Sequence, residues 1–272
     1  MGTFTYNHSF FEDQKGVSSN SARQVVPFVI SLVHPSSVLD LGCGVGTWLA
    51  VFLEHKVEDV VGVDGDYVDP SEMMIPPSRF VAADLAHRVE LGRQFDLVIS
   101  LEVAEHLPAS SSESFVETLT THGKVVLFSA AVPGQGGTNH INEQWPAYWK
   151  RLFEAREYLL VDCLRDRFWN NQEIVSCYRQ NMMLYVDRTR LAGDPKLLQE
   201  YDRGKDRPLA VVHPALFEAV LKRRPGLREL ARGLPYAVSQ TIRIRARRAA
   251  AVFLGRTQKV RVDRTGPPRP FG

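Results

Sequence analysis

Three features of this sequence predict an α/β fold built on a doubly wound, mostly parallel sheet. Short apolar runs alternate with amphipathic segments through the N-terminal part of the chain. The first run, Val38-Leu39-Asp40-Leu41, breaks into Gly42, Gly44 and Gly46 at every second position, and an amphipathic segment then opens at Trp48. The run 95–101 is largely apolar, as expected of a strand buried on both faces.

Taken in order, a helix is predicted over 21–33, where Ala22, Val25, Val26, Val29, Ile30 and Val33 share one face. Asn20 or Ser21 would cap it and His34-Pro35 would end it. Strands follow at 36–41, 57–63, 79–83, 95–101 and 124–129, with helices at 48–55 and 112–120 between them. A helix is predicted over 143–154, and a β-rich late strand over 175–186. The stretch 193–214 reads as a connection, and the Pro/Gly-rich 266–272 as a disordered tail.

The 272 residues have room for one large α/β domain with appendages, or for two small domains. With 44% apolar and 24% charged residues, the composition is that of a soluble globular protein. There is no apolar run of about 18 residues and no secretory apolar segment within 1–15, so neither a transmembrane span nor a signal peptide is expected. Cys43, Cys163 and Cys177 are widely spaced and form no CxxC pair, which argues against a disulfide framework or a zinc site. A reducing, cytoplasmic location is the expectation. The net charge of +2 conceals an asymmetry: of 33 basic and 31 acidic residues, 14 and 2 lie from Lys222 onward. An acidic body with a basic tail is implied, the tail suited to an anionic surface.

The glycine turn narrows the ligand. In a dinucleotide-binding GxGxxG turn the third glycine would fall on Thr47, so a nicotinamide-dependent oxidoreductase is disfavoured. Asp64 closes the second strand, where a carboxylate accepts from ribose hydroxyls. Asp84, followed by Leu85, closes the third, where it meets an exocyclic amine. Asp40 is placed for a cationic amino group. Carboxylates without a phosphate-seeking Arg or Lys suit a ligand that has ribose, base and ammonium but no phosphate.

The segments VLDLGCGVGTW, VVGVDGD, FVAADL and FDLVISLEVAEHLP, in that order and spacing, resemble the class I S-adenosylmethionine-dependent methyltransferases, near their type 11, 12 and 23 branches with an ExxEH element. The resemblance covers roughly 20–130, and more weakly extends to 186. It implies a Rossmann-like, seven-stranded sheet with a late antiparallel strand, and S-adenosylmethionine as cofactor. It also implies that Gly42, Gly44 and Gly46 approach the methionine part, Asp64 the ribose and Asp84 the adenine, with Leu85 and Leu101 beside the cofactor. The cofactor-binding methyltransferase domain would then span 1–190, followed by a helical basic extension over 191–265 and the tail 266–272.

The acceptor side is less constrained. After the fourth strand, Glu102, Glu105 and His106 would share one face if the backbone turned helically. Two carboxylates and an imidazole suit Mg²⁺, Mn²⁺ or Zn²⁺; alternatively His106 is a general base, or the group caps and packs the turn. The ExxEH element resembles that of ubiquinone-type O-methyltransferases and of small-RNA 2′-O-methyltransferases, in which such residues can hold a divalent ion. His140, in the glycine-rich loop after the fifth strand, is placed to complete a metal set with Glu102, Glu105 and His106, or to act as the base. A third reading leaves His140 at the surface with Asn142 capping the next helix. Trp145, Tyr148 and Trp149 are expected in the core.

Methyl transfer from a sulfonium needs an in-line acceptor and removal of its proton. The expectation is an O-methyltransferase acting on a small molecule, sugar or lipid-linked glycan. The alternatives are an RNA 2′-O-methyltransferase with a metal at the ExxEH element, and a non-catalytic cofactor-binding scaffold. In the tail, Val238, Ile242, Ala246, Ala249 and Phe253 share a helical face beside Arg243, Arg247 and Arg248. Peripheral membrane contact is open to such a segment. Nucleic acid is disfavoured by the lack of interleaved aromatics.

Overall fold

The computed structural model describes residues 8–222 and, beyond them, 238, 239 and 243. Its strands are β1 (Ser37–Leu41), β2 (Asp59–Asp64), β3 (Phe80–Ala82), β4 (Leu97–Leu101), β5 (Val125–Ser129), β6 (Tyr158–Val161) and β7 (Met183–Asp187). Side by side they run β3-β2-β1-β4-β5-β7-β6. The first five in that row are mutually parallel; β7 is antiparallel to β5 and β6 to β7. A doubly wound, Rossmann-like sheet with a late antiparallel strand is thus the observed fold.

Every residue of β1, β4 and β5 is buried, and alternate side chains serve opposite faces. Val38, Leu97, Ile99 and Leu127 join one core with Val25 and Val29 of α1 (His8–Val33) and Leu49 and Phe52 of α2 (Thr47–Glu54). Leu39, Val98, Val126 and Phe128 join the other. Its helical side comes from Phe115 and Leu119 of α3 (Ser112–His122) and Trp149 and Phe153 of α4 (Pro146–Glu154). Parallel β1, β2, β4 and β5 bring their carboxyl ends to one edge of the sheet, where ligands of open α/β folds bind.

Several boundaries differ from expectation. α1 begins at His8 and runs through Asn20 and Ser21, so neither caps it. Ser21 instead accepts a hydrogen bond from the Val175 amide at 3.2 Å. α4 starts at Pro146, after Trp145, so Asn142 does not cap it either. The late strand begins only at Met183; before it, Ser176–Asn181 form a short helix, α6, after α5 (Leu164–Phe168). Helical winding there turns Gln180 and Asn181 into a buried polar network that an extended chain would have split between two faces. Past α7 (Arg188–Ala192), the expected connection holds α8 (Pro195–Gly204). Asp194 caps it through the Lys196 and Leu197 amides and Pro195 stands at its first turn, an overlooked start signal.

The described residues through Leu221, including α7, α8 and most of α9 (Pro214–Lys222), form one compact unit. Val238, Ser239 and Arg243 are helical; the rest of the expected basic face and the tail 266–272 lie outside the described residues. Among the described residues no helix is long and apolar enough to cross a membrane.

Candidate active site

The turn between β1 and α2 depends on glycine at Gly42, where φ is +90° and an added Cβ would stand 2.3 Å from Val103 Cγ2. The Gly42 amide donates to Val63 O at 2.8 Å, and the Gly44 amide to Asp64 Oδ2 at 2.7 Å. The ends of β1 and β2 are thereby tied together. Asp64 Oδ1 accepts from the Gly65 amide at 2.7 Å and from the Tyr67 hydroxyl. A carboxylate has about four acceptor positions, so Asp64 retains capacity for a ligand.

The turn borders a cleft of about 850 Å³. Asp40, Gly42, Gly44, Asp64, Asp84, Leu85 and Leu101 all line it, joined by Glu102 and His106 from the end of β4. Gly46 stands back from the cleft wall, at φ +82° as the residue before α2. Asp84 sits at the rim, 67% exposed, its Oδ1 accepting from the Ala86 amide at 2.9 Å. Asp40 is only 3% exposed. Burial, and then the charge of Asp64, push its carboxyl well above the usual range. Two carboxylates so close favour a cationic ligand.

Sequence reasoning missed Ser18, Asp66, Tyr67, Asn139 and Tyr178, which also line the cleft. Asp66 and Tyr67 directly follow the Asp64-Gly65 pair, a signal within reach. Ser18 and Tyr178 come from α1 and α6, and nothing in their local sequence connects them with the turn.

Beyond β4, Glu105, His106 and His140 converge, with one ligand atom from each lying within 4.8 Å of the others. The turn Ala104–His106 provides the first two. The loop carrying His140 is fastened over it, because the Ile141 and Asn142 amides donate to Glu105 O at 2.9 and 3.0 Å. Asn142 adds side-chain bonds to Ala104 O at 3.3 Å and to Ser112 Oγ at 3.1 Å. The His106 and His140 rings meet edge to face, centroids 4.9 Å apart.

Glu105 is fully buried, and neither carboxylate oxygen has an aligned hydrogen-bond partner. Burial, then the charge of Glu102, push its carboxyl well up, and the backbone amides of Glu105 and Ala131 offset only part of this. Burial first, and His140 second, bring His106 down to about 4, so it is neutral at physiological pH.

Glu102 does not join this group. At φ +56° it leaves the expected helical face, its amide held by Ser129 O and Oγ at 3.0 Å each. Its carboxylate accepts from Gln135 Nε2 at 2.7 Å and Asn181 Nδ2 at 3.1 Å. Of the aromatic trio, Trp149 is buried and Trp145 is 40% exposed.

No curated protein matches the chain. Among solved structures, the methyltransferase domain of a bacterial Hen1 is 20% identical over 61% of this chain and 98% of its own, with a TM-score of 0.46. DesVI of Streptomyces venezuelae is 16% identical over 66% of this chain and 96% of its own, at 0.48. Magnesium protoporphyrin IX methyltransferase from Synechocystis, with bound S-adenosylmethionine, is 17% identical over 69% and 85%, at 0.43. The family model described as a methyltransferase domain matches residues 19–165, which include β1 to β5, the glycine turn and both histidines. That match covers more than half of the chain, and the chain belongs to this methyltransferase-domain family, the class I S-adenosylmethionine-dependent methyltransferases.

Proposed function

We propose that this protein transfers a methyl group from S-adenosylmethionine to an oxygen, the hydroxyl of a small molecule, a sugar or a lipid-linked glycan. The observation that carries this reading is the convergence of Glu105, His106 and His140 beside the same cleft that the glycine turn lines. An oxygen acceptor must lose a proton as it is methylated, and these groups are the means to remove it.

The cleft fits the cofactor on its chemistry. Asp40 and Asp64 line the cleft as a pair of carboxyls in which the charge of Asp64 raises the proton affinity of Asp40, and the ammonium and sulfonium of S-adenosylmethionine would relieve that repulsion. Bound, the cofactor supplies an electrophilic methyl group on sulfur. In this reading Asp64 accepts from the ribose hydroxyls, Asp84 meets the adenine amine at the rim, and Leu85 and Leu101 border the base. Asp40 holds the methionine end. His106, neutral and facing the cleft, takes the acceptor's proton, and the Glu105 carboxyl beside it is the group to offset the charge that forms.

The same three side chains also suit a divalent ion: a buried carboxylate with no aligned hydrogen-bond partner and two imidazoles are hard-to-borderline donors. Glu105, His106 and His140 would hold such an ion, which would act on the acceptor oxygen as a Lewis acid. Glu102 is left to its amide partners.

The test is turnover of methyl-labelled S-adenosylmethionine against a lysate separated into RNA, lipid and small-molecule pools, with and without a chelator. Label in the glycan-lipid or small-molecule pool, lost in His106→Ala, is expected. Label in RNA alone would overturn the acceptor class, and label in no pool would overturn catalysis. Unchanged S-adenosylmethionine affinity in Asp64→Ala would overturn the ribose assignment.

A further inference from the structure

The loop 134–143 is closed by one of its own side chains. Glu143 Oε2 accepts from the Gly134 amide at 2.7 Å, and Oε1 from the Gly136 amide at 2.6 Å. Oε1 also lies 3.0 Å from His140 Nδ1. The two side chains are 12% and 18% exposed, so water competes little for either. Gly137 sets the other side of the ring: a Cβ there would stand 2.2 Å from His140 Nε2.

We propose that Glu143 is a positioning residue for the acceptor chemistry. It takes the Nδ1–H of His140 and so leaves Nε2 as the nitrogen with the free lone pair. The argument is one of donors and acceptors. Both oxygens of Glu143 already receive backbone N–H groups, so the carboxylate acts here as an acceptor only, and Nδ1 must carry the hydrogen. In a neutral imidazole the hydrogen is then absent from Nε2. A carboxylate behind an imidazole is the arrangement that fixes tautomer and ring orientation for a histidine acting as base or ligand. The ring so fixed stands edge to face with His106, in the group it forms with Glu105.

The catalytic part of this inference rests on the methyl-transfer reading above; the tautomer does not. Nitrogen-15 chemical shifts of His140 in the cofactor-free, metal-free protein read the tautomer directly. The Nδ1–H form is expected in the wild type, with loss of that preference in Glu143→Gln, whose amide can instead donate to Nδ1. The Nε2–H form in the wild type would overturn the inference, whatever the variants do. In the labelled-methyl assay on the pool that the wild type modifies, Glu143→Gln and Glu143→Ala should lower kcat about 10–100-fold. KM for S-adenosylmethionine should stay unchanged, because Glu143 lies outside the cofactor's half of the cleft. Unchanged kcat in both variants would reduce Glu143 to a loop closure and overturn the proposal. A wild type that modifies no pool would instead overturn the methyl-transfer reading, with the tautomer still deciding this one.

Discussion

Val103 covers Gly42: a Cβ on the glycine would come within 2.3 Å of Val103 Cγ2 and 2.7 Å of Cγ1. The turn after β1 and the turn after β4 are therefore mutually fitted, and Gly42 and Val103 line the same cleft. Gly42→Ala would meet the left-handed penalty of about 1–2 kcal/mol at φ +90° as well as the clash. A lowered Tm and roughly tenfold or greater loss of S-adenosylmethionine affinity are expected by calorimetry, since 1.4 kcal/mol corresponds to about a factor of ten. Val103→Ala in the Gly42→Ala background should recover the part due to contact and leave the part due to φ. Full recovery would show that backbone strain contributes nothing.

Asp40 is expected to cost stability in the absence of ligand. Its carboxyl is pushed well up by burial and then by Asp64. With the folded pKa above the unfolded one, its stabilising contribution is complete below the ordinary carboxylate range and is lost as pH rises through the folded value. Asp40→Asn should therefore raise the Tm of the ligand-free protein at neutral pH and flatten its decline with rising pH. For a protein of this size each kcal/mol is worth roughly 2–4 °C. The same variant should bind S-adenosylmethionine more weakly. A Tm lowered at neutral pH would mean that Asp40 is satisfied inside the protein and has no call on a cationic ligand.

What was legible in the sequence was what depends on neighbours along the chain. The β1 turn, Asp64 closing β2 and the buried run of β4 each carry their signal within a few residues, and they give both the fold and the residues that line the cleft at the β1 turn. Less local features did not show. β6 is four residues long, too short for its apolar pattern to stand out, and it is a strand because it pairs with β7. The helix over Ser176–Asn181 overrides β-prone neighbours because Asn181 and Gln180 have tertiary partners, Glu102 and the His213 amide. Helical spacing would have put Glu102 beside Glu105; one left-handed residue separates them. Its cause, the double tie of the Glu102 amide to Ser129, belongs to the β4–β5 pairing and not to the ExxEH spacing.

Asn181 holds that arrangement from behind. Its Nδ2 donates to Glu102 Oε1 at 3.1 Å and to Gln135 Oε1 at 2.9 Å, while Gln135 Nε2 reaches Glu102 Oε2. Removing Asn181 leaves two half-buried acceptors short of a donor, at a cost of up to about 1–3 kcal/mol. Asn181→Ala should destabilise the protein by that amount in urea titration and lower acceptor turnover, with S-adenosylmethionine affinity little changed. Glu102→Gln should be milder than Asn181→Ala, because its amide oxygen still accepts. Equal losses in the two variants would show that the charge of Glu102, and not its anchoring, is what matters.

His106 gives a pH signature opposite in sign to that of Asp40. Burial, then the neighbouring His140, lower it from 6.5 to about 4, while the Asn139 and Thr138 backbone works against the shift. Between those values the unfolded chain binds the extra proton and the folded protein does not, so this residue makes stability fall as pH drops from about 6.5 to about 4. The ring proton signals of His106, followed by NMR in the metal-free protein, should titrate with a midpoint near 4. His140→Ala removes the second cause and leaves the first, so the midpoint should rise yet stay below 6.5. A wild-type midpoint at the ordinary histidine value would mean that the ring is solvated. The neutral base assigned to this position would then be charged for part of the physiological range, and methyl transfer would need to draw its proton acceptor from His140.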